Sequence, residues 1–139
     1  MDIKQIFENT TNIAVIGLSK NELKDSYQVS MYMKNSGYNI IPINPTTDSI
    51  MGVKSHNSLK DIPENVVRNI ELINIFRKPE FVENILEEVI EVKKKYGKIH
   101  TVWMQLGIFY DMADTVSKEN QLNIITNKCI KIEHGRLQD

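Results

Sequence analysis

The residues best suited to bind a ligand lie in one short stretch near the amino terminus. A β-branched run ends in Gly17-Leu18-Ser19-Lys20, and Asp25-Ser26-Tyr27 opens a helical segment soon afterwards. A glycine allows a tight turn, and the free N–H groups at the start of a helix attract an anion. Ser26 adds a hydroxyl, and Lys20 or Lys24 adds a positive charge. The stretch predicts an anion site, although many α/β proteins carry such a glycine only to make the turn.

The same loop lacks the glycine pattern of dinucleotide-binding proteins. That pattern requires two further glycines, where this chain has Ser19 and Glu22. It also requires an acid after the second strand to bind a ribose hydroxyl, where this chain has Asn44-Pro45. These differences argue against NAD and permit a ligand with a phosphorylated ribose. Asn-Pro also ends a strand without any ligand role.

Two further strand ends carry side chains suited to a nucleotide-containing ligand. Arg77 follows the third predicted strand and can bind phosphate or stack on a base, while Phe76 can line an adenine pocket. An equally good interpretation makes Phe76 the edge of the core and Arg77 a solvated surface residue. After the fourth strand, Gln105 can hydrogen-bond a pantetheine amide and Gly107 permits close backbone approach.

The remaining polar residues do not form a catalytic or metal-binding pattern. Cys129 and His134 are five positions apart, but no third ligand is near, and His56 and His100 lack ligand spacing. Cys129 is predicted to be a small buried side chain, and Glu133 and His134 to be polar anchors. We therefore predict no catalytic residue and no metal site.

The strand ends need a scaffold that brings them together, and the sequence pattern predicts one. Short runs rich in Ile and Val are bounded by polar or breaker residues. Several are apolar at consecutive positions, which is typical of a parallel sheet with helices on both faces. The predicted strands are residues 12–17, 39–44, 70–76, 99–104 and 122–126. The predicted class is a three-layer, Rossmann-like α/β fold.

Helical periodicity separates these runs. In the first crossover, Asp25 with Gln28 at capping-box spacing predicts a helix that ends at Gly37. A longer helix is predicted from Pro79 to Gly97 between the third and fourth strands. Weaker helical stripes precede the first and the last strand. The second crossover is irregular and predicts only a short strand or turn and one helical turn.

Size and composition limit the class of protein. The 139 residues fit one domain, predicted to span 1–139, and leave no room for a second catalytic domain. The formal net charge of −1 gives no general attraction to nucleic acid or anionic lipid. The single cysteine excludes an internal disulfide. Without a long apolar run or an export signal, the chain is expected to be cytoplasmic.

Taken together, the strand ends resemble those of the small stand-alone CoA-binding domain proteins. These proteins are related to the nucleotide-binding domain of the succinyl-CoA synthetase alpha subunit. The resemblance covers nearly the whole chain in order, and the combination of motifs is more specific than any one of them. The matching stretches are Ile13-Ala14-Val15-Ile16-Gly17-Leu18-Ser19, Ser26-Tyr27, Gly37-Tyr38, Pro42-Ile43-Asn44-Pro45, Phe76-Arg77, Trp103-Met104-Gln105-Leu106-Gly107-Ile108 and Cys129-Ile130-Lys131-Ile132-Glu133-His134.

The resemblance implies strand order 3-2-1-4-5, with CoA bound across the strand ends and its pyrophosphate over the Gly17 loop. The nucleotide is expected toward the second and third strand ends. The implied binding residues are Gly17, Leu18, Ser19, Lys20, Lys24, Ser26, Tyr27, Asn44, Pro45, Phe76, Arg77, Gln105 and Gly107. Two positions depart from the family pattern. Lys24-Asp25 stands where the family commonly has an arginine, and Thr46-Thr47 stands where it often has a basic turn.

Three functional hypotheses arise from the sequence. The leading one is a non-catalytic binding or regulatory module for CoA or an acyl-CoA. The second is an enzyme or subunit that acts on CoA thioesters with a partner in trans. The third, a sensor of NAD or another adenine nucleotide, rests on fold analogy alone. A small-molecule ligand is expected in each case, without nucleic acid or membrane, and a protein partner is left open.

Overall fold

A five-stranded parallel sheet forms the centre of the protein. The computed structural model describes residues 1–138, whose strands are Asn12–Ile16 (β1), Asn39–Ile43 (β2), Ser49–Ile50 (β3), Val53–Lys54 (β4), Leu72–Ile75 (β5), Thr101–Met104 (β6) and Asn123–Ile125 (β7). The parallel sheet has the order β2-β1-β5-β6-β7, while β3 and β4 form a small antiparallel ribbon. Each of the five predicted strands exists, within its predicted bounds.

The predicted strand order was wrong. Order 3-2-1-4-5 would place the third predicted strand at the edge beside β2, but β5 instead pairs with β1 and β6, which gives the order 2-1-3-4-5. The edge position beside β2 belongs to His56, which makes a single parallel bridge with Ile43. Its N–H donates to the Pro42 carbonyl, and its carbonyl accepts from Asn44 N–H. One bridged residue is too short to leave a strand pattern in the sequence.

Helices cover both faces of the sheet, as predicted. They are Ile3–Glu8 (α1), Asp25–Asn35 (α2), Glu64–Val67 (α3), Val82–Tyr96 (α4), Ala113–Asn120 (α5) and Ile130–Arg136 (α6), with 3₁₀ turns at Leu59–Asp61 and Pro79–Phe81. Successive residues of β1 point to opposite faces, so Ile13 packs with α1, α2 and α6 while Ala14 packs with α3 and α4. No helix within residues 1–138 is long and apolar enough to cross a membrane.

The predicted capping box at the start of α2 does not form. Lys24 is the N-cap, and no side chain caps this helix. Asp25 already lies inside the first turn, and the Gln28 amide donates to the Glu22 carbonyl instead. The other helix boundaries agree better with the sequence, because Pro79 opens the turn before α4 and Gly97 ends that helix with φ 84°. The second crossover is irregular, as expected, but it holds two short strands and two helical segments where the sequence predicted a short strand or turn and one helical turn.

Glu71 fixes the amino end of β1. Its Oε1 accepts hydrogen bonds from the backbone N–H groups of Thr11 and Asn12, both at 2.9 Å. Glu71→Gln exchanges a charged acceptor for a neutral one, so we expect the free energy of unfolding to fall by about 1 kcal/mol. Urea denaturation measures the change. Glu119→Gln, at an exposed position of α5, is the control and should alter the free energy of unfolding by less than about 0.5 kcal/mol. Equal losses of stability in the two variants would contradict this role for Glu71.

His134 lies in an aromatic cluster that joins α1 to α6. Its ring is nearly perpendicular to those of Phe7 and Tyr38, and its Nδ1 lies 3.0 Å from the Tyr32 hydroxyl. Burial lowers the pKa of His134 below 6.5, because the imidazolium loses hydration. The unfolded chain therefore binds this proton more readily than the folded protein does. The stability contributed by the neutral ring is present above pH 6.5 and is lost as the pH falls toward the lower folded pKa.

A pH series of denaturation curves tests this effect. We expect the free energy of unfolding to decrease as the pH falls through about 6.5, and to decrease less steeply in His134→Gln, whose side chain does not titrate. Burial also lowers the pKa of His56, which should account for part of the remaining slope. An unchanged slope in His134→Gln would show that this ring does not contribute.

Candidate functional site

The candidate site lies at the carboxyl ends of β2, β1, β5 and β6. Because these strands are parallel neighbours, the residues that follow them meet at one edge of the sheet. The sheet order places Asn44, Gly17, Phe76 and Gln105 side by side along this edge. Adjacent strands are about 4.8 Å apart, so the predicted residues fall within the span of one extended ligand.

Gly17 makes the closest backbone contact at this edge. Its φ is +88°, and an ideal Cβ would lie 2.6 Å from the Phe76 carbonyl oxygen and 3.0 Å from Arg77 Cδ. Its N–H donates to the Ile43 carbonyl at 3.1 Å. A residue with a side chain would be strained in φ and would also collide with the neighbouring strand end. Glycine is therefore required at this position by the close contact with the neighbouring strand end as well as by the turn.

The loop after Gly17 connects to the start of α2 through a serine pair. Ser26 is buried, and its Oγ accepts the Ser19 N–H at 3.0 Å. The Ser19 hydroxyl in turn accepts the Asn21 N–H. The first N–H groups of α2, at Asp25 and Ser26, have no acceptor within the helix, as at the start of any α-helix. This edge therefore offers backbone donors and the positive end of an 11-residue helix.

Among residues 1–138, the cations predicted for the site form no direct ion pair with a carboxylate. The ion pairs among residues 1–138 join Lys4 to Glu8, Lys60 to Glu91, and Arg136 to Glu133. Lys20, Lys24 and Arg77 take part in none of them, and both lysines are exposed. These three charges are available for an anion.

Asn44 joins the ends of β1 and β2. Its Nδ2 donates to the Leu18 carbonyl at 3.0 Å, and its Oδ1 accepts from the N–H and the hydroxyl of Thr46. The Leu18 side chain is fully buried, so only its backbone can reach a ligand. The Asn44 side chain thus holds the ends of β1 and β2 together. Pro45, which follows it, is exposed.

A cleft of about 210 Å³ opens beside Gly17, between the strand ends and α4. Arg77 lines it, and the Arg77 guanidinium carbon lies 4.3 Å from the centroid of the Phe81 ring. This stacking keeps the guanidinium close to the carboxyl edge. Phe76 is half-buried against the core, which agrees with the core-edge interpretation of this residue. Wider depressions exist elsewhere, but those of about 600 and 660 Å³ are formed by residues at the amino end of the sheet.

Gln105 has a different role from the one predicted. Its side chain is buried, its Nε2 donates to Asn74 Oδ1 at 2.5 Å, and its Oε1 accepts the Ile130 N–H at 3.3 Å. The amide joins β5, β6 and α6 inside the protein instead of facing the crevice. Gly107 remains at the surface with φ +83°, and its N–H donates to Asn127 Oδ1 at 2.9 Å.

Sequence reasoning missed three residues that shape the edge. Phe81 stacks on Arg77. The sequence could have indicated this contact, because the two residues are four positions apart and Pro79 begins a helical turn between them. Glu88 accepts the Leu59 N–H at 2.9 Å and so holds one wall of the cleft. Asn127 holds the loop after β6 and has positive φ, which Asn tolerates better than most residues. The last two contacts join distant segments and leave no local pattern.

Trp103 and the residues considered for nucleophilic or metal chemistry have structural contacts. Trp103 is fully buried, and its indole N–H donates to the Lys128 carbonyl at 2.8 Å. Cys129 is partly buried against the same core layer and is the N-cap residue of α6. Glu133 pairs with Arg136. Within residues 1–138, no three His, Cys, Asp or Glu side chains form a group that could hold a metal ion.

Fold and site together define a parallel α/β protein with a glycine loop and a helix start at the carboxyl edge of its sheet. This is the arrangement in which such folds bind phosphate-containing ligands. The chain belongs to the CoA binding domain family, whose sequence pattern matches residues 11–135.

Known relatives are similar along most of this chain. Uncharacterized protein YneT of Bacillus subtilis (strain 168) is 36% identical over 134 residues, or 96% of this chain and 93% of YneT. The ADP-forming acetate–CoA ligase of Methanocaldococcus jannaschii is 29% identical over 124 residues, which cover 87% of this chain but only 17% of the ligase. A hypothetical protein from Pyrococcus horikoshii OT3 superposes with a TM-score of 0.86 at 30% identity, covering 99% of this chain and 91% of that chain.

Two glycine substitutions isolate the close approach at Gly17. Gly97 has φ +84°, almost the same as Gly17, but no atom beyond its own chain neighbours lies within 4 Å of its ideal Cβ. Gly97→Ala should cost about 1–2 kcal/mol of stability from backbone strain alone. Gly17→Ala should cost roughly 1–3 kcal/mol more, because the methyl group meets the Phe76 carbonyl. Thermal or urea unfolding of both variants measures the difference, and equal losses would contradict the contact.

Proposed function

We propose that the protein binds coenzyme A or an acyl-CoA at the carboxyl edge of its sheet. Two observations support this proposal. The chain belongs to the CoA binding domain family, and the Gly17 loop, the start of α2 and three cations without an ion pair lie at this edge. The pyrophosphate of CoA needs N–H donors and positive charge, and this edge offers both. The turn at Gly17 leads into the loop that carries Lys20 and Lys24 and ends at these helix donors.

The other groups of CoA have suitable partners along the same edge. The nucleotide lies toward Asn44 and Pro45 and toward Phe76 and Arg77, where a guanidinium supported by Phe81 can meet a phosphate or a base. The pantetheine arm runs past β5 to the end of β6. At that end, the pantetheine arm contacts the exposed backbone at Gly107. It does not contact the Gln105 amide, which is buried. The start of α2 is lined by Ser19, Ser26 and Tyr27. Lys20 and Lys24 lie beside it.

A second candidate function has one specific observation in its favour. The chain matches a segment of an ADP-forming acetate–CoA ligase, which favours a role as a subunit in CoA-thioester chemistry. That segment is 17% of the ligase, and a reaction by this chain would depend on groups supplied by a partner protein. A binding module needs no such partner. We therefore rank binding first and a subunit role second.

Isothermal titration of ligand-stripped protein with CoA tests the proposal. We expect saturable binding and about tenfold weaker binding in Lys20→Glu and in Arg77→Gln, because each loses a phosphate partner worth roughly 1.4 kcal/mol. Lys118→Glu in α5 makes the same charge change away from the strand ends and should leave affinity unchanged. Competition between NAD and CoA for the protein distinguishes a dinucleotide sensor from a CoA-binding module.

The outcomes separate the candidate functions. Absence of CoA binding at millimolar concentrations, in protein that unfolds cooperatively, would refute the proposal. Stronger competition by NAD than by CoA would favour the dinucleotide sensor. Turnover of a CoA thioester that appears only with a co-purifying protein would favour the subunit role. Equal weakening by Lys20→Glu and Lys118→Glu would place the phosphates elsewhere.

A further inference from the structure

Three large apolar side chains project into solvent from the loop that follows β6. Leu106 and Phe109 are each 61% exposed, and Met112 is 50% exposed. We call these three residues the apolar rim. All three lie in one seven-residue segment, 106–112, between β6 and α5. Single exposed apolar residues are common, but three within seven residues concentrate apolar surface in water, and such surface marks candidate contact sites.

The loop is anchored, so the exposure is not a consequence of loose packing. Between the rim residues, Ile108 is buried and Tyr110 packs on the core layer formed with α4. The Gly107 N–H donates to Asn127 Oδ1 at 2.9 Å, and the Asn127 N–H donates to the Ile108 carbonyl at 3.0 Å. These contacts fix the backbone and leave the rim facing outward.

The apolar rim lies where a ligand that starts at Gly17 would end. The sheet order runs from β1 through β5 to β6, so the rim begins two strand spacings, or about 10 Å, from the Gly17 loop. In the proposed orientation the phosphates occupy the Gly17 loop and the pantetheine arm points toward β6. The extended pantetheine arm is longer than this distance, so the thiol end of CoA, which carries any acyl group, can reach the rim.

We propose that the ligand of this site is an acyl-CoA whose apolar acyl chain packs on Leu106, Phe109 and Met112. This inference rests on the proposed CoA-binding function and narrows it to one chemical class. Free CoA ends in a small thiol and would leave the apolar rim in water. An acyl chain of several methylenes covers it, and each buried methylene increases affinity up to about fourfold.

Titration with CoA, acetyl-CoA and hexanoyl-CoA tests the inference. The native protein should bind hexanoyl-CoA at least about tenfold more tightly than CoA, with acetyl-CoA in between. The double variant Leu106→Ser/Phe109→Ser should lose this difference and keep its affinity for free CoA. Both side chains are exposed, so the variant is expected to fold, and its unfolding transition verifies this. Leu137→Ser removes a 42% exposed leucine at the far end of α6 and should retain the full difference.

Each outcome bears on one of the two proposals. Equal affinities for CoA and hexanoyl-CoA in the native protein would overturn the acyl-CoA inference and leave CoA binding intact. A chain-length preference that survives in the double variant would overturn the role of the rim. Loss of all CoA binding in the native protein would refute the proposed function itself. Self-association of the native protein that the double variant abolishes, with equal CoA and acyl-CoA affinities, would assign the rim to a protein contact instead.

Discussion

Gly17 passes so close to the next strand end that an ideal Cβ would lie 2.6 Å from the Phe76 carbonyl oxygen. The contact joins β1 to β5 at the edge where the candidate site forms, and the Gly17 N–H joins β1 to β2 on the other side. The turn to the Ser19 and Ser26 pair starts from this point, and Arg77 follows the same carbonyl. The positions of the anion donors and of the guanidinium therefore depend on one residue without a side chain.

Behind this edge, a buried polar pair holds the second half of the sheet in place. Asn74 lies in the middle of β5 with almost no exposure, and the Gln105 amide bridges it to the first turn of α6. Buried amides are costly unless they are paired, so such a pair favours one arrangement of β5, β6 and α6. The two hydrogen bonds of Gln105 offset that cost, and they fix where the loop after β6 begins. That loop carries the apolar rim, and Asn127 holds it from the other side.

The relatives that match this chain differ widely in size. YneT matches along 93% of its own length, whereas the archaeal ligase matches along 17%. A segment similar to this chain therefore makes up most of one small protein and one part of a much larger one. Function in such folds depends on the particular residues at the site and on what surrounds them.

The sequence alone determined the α/β class, the five strands and the residues at the strand ends, because these depend on local periodicity and on the residues directly after each apolar run. It did not determine the strand order, since the edge strand beside β2 is reduced to the bridge at His56 and pairing between distant segments leaves no local pattern. It also assigned Gln105 to the crevice, where tertiary packing turns the side chain inward to Asn74. The Gly17 contact shows the same division. The sequence indicated a turn, and only the fold brought the Phe76 carbonyl near enough to exclude any side chain there.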